Sequence, residues 1–321
     1  MKNTKINLSQ WAVFFALIIM ICIFGVTAKG FATWANLRNV LRQVSMYGIC
    51  AVGMAMVIMT NGVDLSMSST LAMANIVVAL TLTQWGFPIW LSCMLCIAMG
   101  ALIGAINGIW VNEIGMFPMI ATMGMQILLR GVAYIISGGM PIYNIPEAFK
   151  VIGQGFMFGV VPVPVVIMLV LFTIGIFILT KTVYGRQIYA VGGNQEAARL
   201  AGISYKWVRY RAYIISGMCA AIAGIVYCSR VNSGQPAAGT GFEADIIPAC
   251  VLGGVRLGGG EGNLFGVFIG VVFMGVLQNG MILFNLNEYW QMAIKGAVLL
   301  IAICFDRLSK ESSNKRAVKA I

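Results

Sequence analysis

KTVYGRQIYAVGGNQEAARLAGISYKWVRYR, residues 181–211, is a stretch that lipid would reject, set between stretches that it would accept. It carries Lys181, Arg186, Arg199, Lys206, Arg209 and Arg211 against a single acid, Glu196. Working outward, the chain is 60% hydrophobic and 10% charged, with a mean hydropathy of +0.90, whereas a soluble domain is about a quarter charged. A bilayer offers no water to free backbone groups, so the spans are helices or a closed barrel. Long continuous apolar runs, rather than short alternating ones, decide for helices. The expectation is an all-α integral membrane protein with residues 181–211 as an exposed loop.

The net charge of +11 does not imply nucleic acid. The cations cluster between apolar runs and near the C-terminal end, where the positive-inside rule places them on the cytoplasmic side. The chain has no histidine, which removes His-based catalysis and the commonest transition-metal ligand. Of its eight cysteines, Cys93 and Cys96 form a C-x-x-C inside an apolar run, which reads as two small side chains on one helix face. No metal and no cofactor are expected.

Lys2 and Lys5 precede an apolar run from Trp11 to Ala28, read as a retained anchor rather than a cleaved signal. A second run covers Asn36 to Thr60, and a polar break, Asn61-Gly62-Val63-Asp64-Leu65-Ser66, leads to a third ending near Gln84. Pro88 opens a fourth, to Asn112-Glu113, and Pro118 a fifth, to Gly138-Gly139. Residues 138–161 read as loop, and Pro162 and Pro164 open a sixth span, where a missing N–H costs nothing. A seventh follows Arg211 and ends near Ser229, and residues 230–245 are polar and glycine-rich. The apolar piece at 246–257 contains Pro248 and is too short to cross a core of about 30 Å, so a broken half-helix is expected there. Spans over 263–284 and 289–305 complete a count of about ten.

With both termini and the 181–211 loop inside, that count has the right parity. Lys29, Arg38 and Arg42 then fall outside, against the rule, and an amphipathic entry is the expectation for Arg38–Arg42. Gly100, Gly104 and Gly108 recur every four residues in the fourth span, as do Gly262, Gly266 and Gly270 in the ninth. Such ladders let helices approach closely. Asn107-Gly108 followed by Asn112-Glu113 is echoed by Asn279-Gly280 followed by Asn287-Glu288. Spans five apart run oppositely, so an inverted repeat is expected, with chance glycine richness as the alternative.

No Gly-Lys dipeptide occurs, so no P-loop is present, and Gly258-Gly259-Gly260-Glu261-Gly262 reads as a tight turn between packed segments. Ionisable groups at membrane depth are expensive and usually functional, which singles out Asp64, Glu243 and Asp245. Arg130, Arg230, Arg256, Glu261 and Lys295 also qualify, though snorkelling explains those at segment ends. Asp64 stands foremost, in a polar break before a helix that its serines are expected to cap. Span-borne amides at Asn107, Gln126, Gln278 and Asn279 read either as pathway groups or as interhelical hydrogen bonds. Within the basic loop, Asn194 to Ala201 reads as a short helix with Ala197, Leu200 and Ala201 on one face, ended by Gly202.

Tyr184-Gly185-Arg186 and the run Ala190-Val191-Gly192-Gly193-Asn194-Gln195-Glu196-Ala197-Ala198-Arg199-Leu200-Ala201-Gly202-Ile203 resemble the inner-membrane permeases of bacterial ribose-type sugar ABC importers. The likeness extends through Gly62-Val63-Asp64-Leu65-Ser66, Ser233-Gly234-Gln235-Pro236, Gly239 to Glu243, Cys250 to Gly254 and Phe305 to Leu308, essentially the whole chain. The resemblance implies one permease domain over residues 1–321, with a cytoplasmic tail at 306–321. It also implies pairing with a second permease copy in the inner membrane, a periplasmic sugar-binding protein and a cytoplasmic ATPase. Gly192, Gly193, Asn194, Glu196, Ala197, Ala198, Arg199, Leu200 and Gly202 would then dock on the ATPase. Asp64, Asn107, Gln126, Gln278, Asn279, Glu243 and Asp245 would line the translocation pathway. Ser68 stands where such permeases often have glycine, and Arg256 to Gly260 departs from their usual turn, which bears on the substrate. The competing functions are amino-acid or nucleoside import by the same machinery, secondary transport, and an intramembrane enzyme.

Overall fold

The computed structural model describes the backbone of residues 8–318 and the side chains of residues 13–304. Lys2, Lys5 and Lys319, and the side chains of the 305–318 segment, lie outside the described residues. In order, the helices are α1 (Leu8–Thr27), α2 (Trp34–Met59), α3 (Met67–Thr83), α4 (Ile89–Asn112) and α5 (Pro118–Ser137). A 3-10 turn (Glu147–Lys150), α6 (Val151–Gln154) and a hairpin of β1 (Phe156–Met157) and β2 (Val161–Pro162) follow. Then come α7 (Val163–Lys181), α8 (Val183–Gly193), α9 (Gln195–Leu200), α10 (Tyr205–Val231), α11 (Phe242–Leu252), α12 (Leu264–Leu283) and α13 (Glu288–Val318).

Local chemistry sets these ends. Thr33 caps α2 by accepting from the Asn36 N–H, and Asn263 caps α12 by accepting from Gly266 N–H at 2.6 Å. Pro118 starts α5, and Gly138, left-handed at φ 63°, stops it, as expected for a residue without a Cβ penalty. Among the described residues, six helices are long and apolar enough to cross a membrane: α2, α4, α5, α7, α10 and α12. Apolar helices at Val13–Thr27 and Met67–Thr83 are shorter. A total of about ten crossings would require α1, α3, α11 and α13 as well.

The core is α2, apolar on every side and buried without interruption from Val44 to Thr60. It packs on α7, α10, α11 and α12. Helix α10 is the matching centre of the other half, packing on α2, α3 and α4. The first glycine ladder makes that contact possible. A methyl on Gly104 would lie 2.2 Å from the Tyr213 carbonyl oxygen, and one on Gly217 2.0 Å from that of Gly100.

The partnerships form two matching sets. Where α10 packs on α3 and α4, α2 packs on α11 and α12; where α5 packs on α3, α13 packs on α11. The directions are opposed. Helix α2 begins near the hairpin, where Arg42 Nη2 donates to the Gln154 carbonyl at 2.8 Å. It ends beside the start of α10, where Arg209 Nε donates to the Thr60 carbonyl at 3.3 Å. Likewise α4 ends at Glu113, paired with Lys206, whereas α12 begins near Gly262, whose carbonyl accepts from the Tyr189 hydroxyl at 2.9 Å. Residues 34–137 and 242–318, the latter joined by α10, therefore form the inverted halves that the glycine spacing suggests.

One end of the bundle carries α8 and α9 (the loop end), and the other carries the hairpin. Phe24 of α1 packs on Gly280 and Phe284 of α12, so α1 starts from the loop end, and α13 runs back to it. Arg38 and Arg42 sit at the hairpin end, each over the Phe156 ring. Cation–π contacts and the bond to Gln154 tie α2 to the hairpin at that end.

Three expectations need correction. The 181–211 segment is not mainly loop: α8 precedes the expected short helix, and residues 205–211 are already the first turns of α10. The half-helix starts earlier than 246, at Phe242, and ends at Leu252, with Gly253 to Gly262 forming the turn. Ser66 does not cap α3 with its side chain, because its hydroxyl is spent on Asp64.

Candidate functional site

At the loop end, Thr182 caps α8 by accepting from Gly185 N–H, and Asn194 caps α9 by accepting from Ala197 N–H at 3.0 Å. Gly202, at φ 79°, turns the chain towards α10. Ala198 is buried, whereas Glu196, Ala197, Arg199, Leu200 and Ala201 face outward. Leu200 is 77% exposed. The expected docking face of Ala197, Leu200 and Ala201 is thus outward, but Ala198 points into the protein. The Arg199 guanidinium beside Glu196 holds its carboxyl below the usual carboxylate range, so the pair is formed at neutral pH.

The base of α9 is seated tightly. Gly192 is wedged where a methyl would lie 1.8 Å from the Met59 carbonyl oxygen and 2.4 Å from the Gly260 nitrogen. Gly260 N–H in turn donates to that same Met59 carbonyl at 2.9 Å. The end of α8, the end of α2 and the glycine-rich turn therefore meet backbone to backbone. From that junction the chain runs from Met59 through the Asp64 break into α3, and from Gly260 back into α11.

Deeper in the bundle lies a polar centre. Asp64, 1% exposed, accepts from Ser66 N–H (3.1 Å), the Ser66 hydroxyl (2.6 Å) and the Ser216 hydroxyl (2.7 Å). Asn107 Nδ2 donates to Ser66 Oγ at 2.8 Å, extending the chain of bonds to α4. Ser216 lies eleven residues into α10, roughly 16 Å along its axis, so this cluster is at membrane depth. Irregular backbone is tolerated there only when protein groups satisfy it. Accordingly, Thr122 Oγ1 accepts from Leu65 N–H at 3.1 Å.

Beside this cluster, Gln126 Nε2 donates to Ser68 Oγ (3.1 Å) and to Glu243 Oε1 (2.9 Å). It thereby joins the first turn of α3 to the first turn of α11. Glu243 Oε2 is buried and unbonded. Arg130 Nη1 donates to the Pro236 and Ala238 carbonyls at 2.8 Å, holding the segment that feeds α11. Asp245 pairs with Lys295 of α13 at 2.9 Å, with side-chain exposures of 4% and 19%. Two carboxylates (Asp64 and Glu243), two amides (Asn107 and Gln126) and two helix N-termini thus converge between the inverted halves, an arrangement that can offer directed hydrogen bonds to a neutral polar solute.

Asp64, Asn107, Gln126 and Glu243 are brought together by the break before α3 and by α4, α5 and α11, whereas Asp245, two residues further along α11, pairs with Lys295 instead. Gln278 and Asn279 do not join them. Asn279 exchanges bonds with Asn36 at 2.8 and 2.9 Å, and Gln278 donates to Gln291 at 2.9 Å. Ser66, Ser68, Ser216 and Lys295 as direct partners were missed: Ser66 read locally as a cap for α3, and the others lie 50 or more positions from the groups they bond, which gives no local signal. Lys295 was visible only as a cation at membrane depth. Among the described residues, no three His, Cys, Asp or Glu side chains gather as a metal site requires.

The family model described as branched-chain amino acid transport system / permease component matches residues 36–303. The chain belongs to this family. It is 39% identical over 307 residues to the ribose import permease protein RbsC of Escherichia coli (strain K12), covering 94% of this chain and 95% of that one. It is 38% identical over 296 residues to the RbsC of Bacillus subtilis (strain 168), covering 92% and 91%. The xylose transport system permease protein XylH of Escherichia coli (strain K12) is 31% identical over 370 residues, covering 96% and 94%. No solved structure matches the chain. The protein is a multi-pass membrane permease, and its relatives are transport permeases rather than enzymes.

Proposed function

We propose that this permease is the membrane subunit of an ATP-driven monosaccharide importer, with its loop end and both termini in the bacterial cytoplasm. Its relatives carry ribose and xylose in their names, which supports a monosaccharide cargo over an amino acid or a nucleoside. A periplasmic binding protein delivers the sugar, a second permease copy completes the pathway, and a separate ATPase docks on Gly192–Gly202. The observation that carries this reading is the seat of Gly192. It couples an outward-facing capped helix, through rigid backbone contacts, to both discontinuous elements that converge on Gln126.

Closure of an ATPase dimer moves α9 as a rigid body. Because Gly192 is in van der Waals contact with Met59 and Gly260, the displacement reaches the α11 turn, while the Asp64 break is held by its bonds to Ser66, Ser216 and Thr122. Packed interfaces switch between discrete arrangements rather than deforming smoothly, so α11 and its turn shift against that fixed wall and access passes from one side to the other. Glu243, Gln126 and Ser68 supply weak, replaceable hydrogen bonds, since a pathway must also release its solute. The hydroxyl of Ser68, at a position often glycine in such permeases, belongs to this group.

The test is ATP-driven uptake by proteoliposomes holding permease and ATPase. Glu196→Lys and Ala197→Trp should leave insertion intact and lower uptake by about tenfold, equivalent to about 1.4 kcal/mol of docking energy. Ala198→Trp, by contrast, overpacks a buried site and reports on folding instead. Normal uptake and normal ATPase co-purification with both surface variants would place coupling elsewhere. Uptake driven by a proton gradient alone would favour secondary transport.

A further inference from the structure

A cavity of about 690 Å³ opens at the loop end between α4, α5, α9, α10, α11 and α13. Its lining is amphipathic. Asn61, Asn112, Gln195 and Arg209 form a polar side, broken by Val111 of α4, whereas the facing wall is apolar, with Ile247 of α11, Leu257 of the turn after it, and Leu299 and Ile303 of α13. Asn112 is 7% exposed, and neither atom of its side-chain amide has a hydrogen-bond partner. A buried amide left unbonded costs about 1–3 kcal/mol, so this residue asks for a ligand. Arg209 lines the same wall half-buried, its Nε on the Thr60 carbonyl, with no carboxylate within ion-pair distance among the described residues. On the other wall, the apolar surface continues onto exposed Met119 and Ile120 of α5 and Leu300 and Ile301 of α13.

We propose that this cavity binds an anionic phospholipid, its phosphate against Arg209 and Asn112 and an acyl chain against Leu299 and Ile303. A neutral sugar would match neither the guanidinium nor the apolar majority of the wall, whereas an amphiphile matches both. The Arg209 guanidinium, without a carboxylate partner among the described residues, favours an anionic headgroup. Because Gln195 of α9 lines the same space, an occupied cavity braces the proposed docking helix. The binding claim stands apart from the transport reading, since lipid retention is measured without uptake.

The experiment is native mass spectrometry of the permease–ATPase complex released from nanodiscs of phosphatidylethanolamine and phosphatidylglycerol. The wild-type protein should retain phosphatidylglycerol through detergent exchange. Arg209→Gln and Leu299→Trp should each retain about tenfold less, a change of about 1.4 kcal/mol. Met292→Trp, exposed on α13 about two turns before Leu299 and outside the cavity lining, should retain lipid as the wild type does and controls for folding of the helix. Equal retention by all variants overturns the proposal. So does loss of lipid to inorganic phosphate, which would mark a free-anion site. Efficient disulfide crosslinking of Leu299→Cys between two copies in native membranes also overturns it, since a second permease then covers the wall.

Discussion

The two discontinuous elements of this permease occupy corresponding places in the inverted halves yet are held in different ways. Before α3, Asp64 is sealed by three donors, from Ser66 and Ser216, and the break is tied to α5 through Thr122. Within α11, Asp245 is held by Lys295 with the Tyr47 hydroxyl beside it, and the helix is short, contains Pro248 and ends in a glycine-rich turn. The first is built as a fixed wall. The second is flanked by glycines, Gly239 and Gly241 before it and Gly253 to Gly262 after it, and we propose that motion between access states belongs to α11 and its turn.

The strongest way to break that comparison is Asp64→Ala. It strips the acceptor from three buried donors, each worth roughly 1–3 kcal/mol when left unsatisfied. The expected outcome is loss of folded protein, read by thermal unfolding or by recovery from membranes. If Asp64→Ala instead folds normally and loses only transport, the α3 side is mobile and the contrast fails.

Lys295→Met should come next, because an uncompensated buried carboxylate costs about 3–5 kcal/mol. The pair Asp245→Leu/Lys295→Met removes the stranded charge, so thermal stability should return while uptake does not. Recovery of uptake by the double variant would reduce the ion pair to a scaffold. A smaller effect is expected for Gln126→Leu, which unlinks α3 from α11 and leaves Glu243 short of a donor. Uptake should fall by roughly tenfold, or about 1.4 kcal/mol, with ATPase docking unchanged in pull-down.

The smallest effect concerns pH. The carboxyl of Glu196 is held low by Arg199, so its pair persists above the ordinary carboxylate range and is lost only as pH falls through the depressed value. The chain has no histidine to titrate near neutrality. ATPase docking by the Glu196→Gln variant should therefore differ from wild type by the same small amount at pH 6 and pH 8, which surface plasmon resonance can check.

Much of this was legible from residues alone, because lipid imposes simple rules. Pro88, Pro118, Gly138 and the N-G-V-D-L-S break marked helix ends through backbone chemistry, and Pro248 marked the half-helix. The glycine ladders pointed to close helix approach without naming α10 as the partner, and the Asn107-Gly108/Asn279-Gly280 echo suggested opposed halves with chance glycine richness as the alternative. Helix α8 was not legible, since Gly185, Gly192 and Gly193 read locally as breakers. Only the tertiary fold shows that Gly192 is needed for a backbone contact at 1.8 Å to a would-be methyl. Asp64, Gln126 and Glu243 were visible as costly groups in an apolar setting. Their partner Ser216 looked like an ordinary span residue, Ser68 stood out only as a replacement for glycine, and the Asn36–Asn279 pair shows how an equally costly amide can simply be structural.

Hydrogen–deuterium exchange on the permease–ATPase complex in nanodiscs, with and without a non-hydrolysable ATP analogue, tests the central claim most directly. Nucleotide binding at the ATPase should change exchange in residues 242–262 and in α9, while residues 61–70 stay protected in both states. Matching changes in 61–70, or a response there with 242–262 silent, would contradict the assignment of a fixed α3 wall and a moving α11.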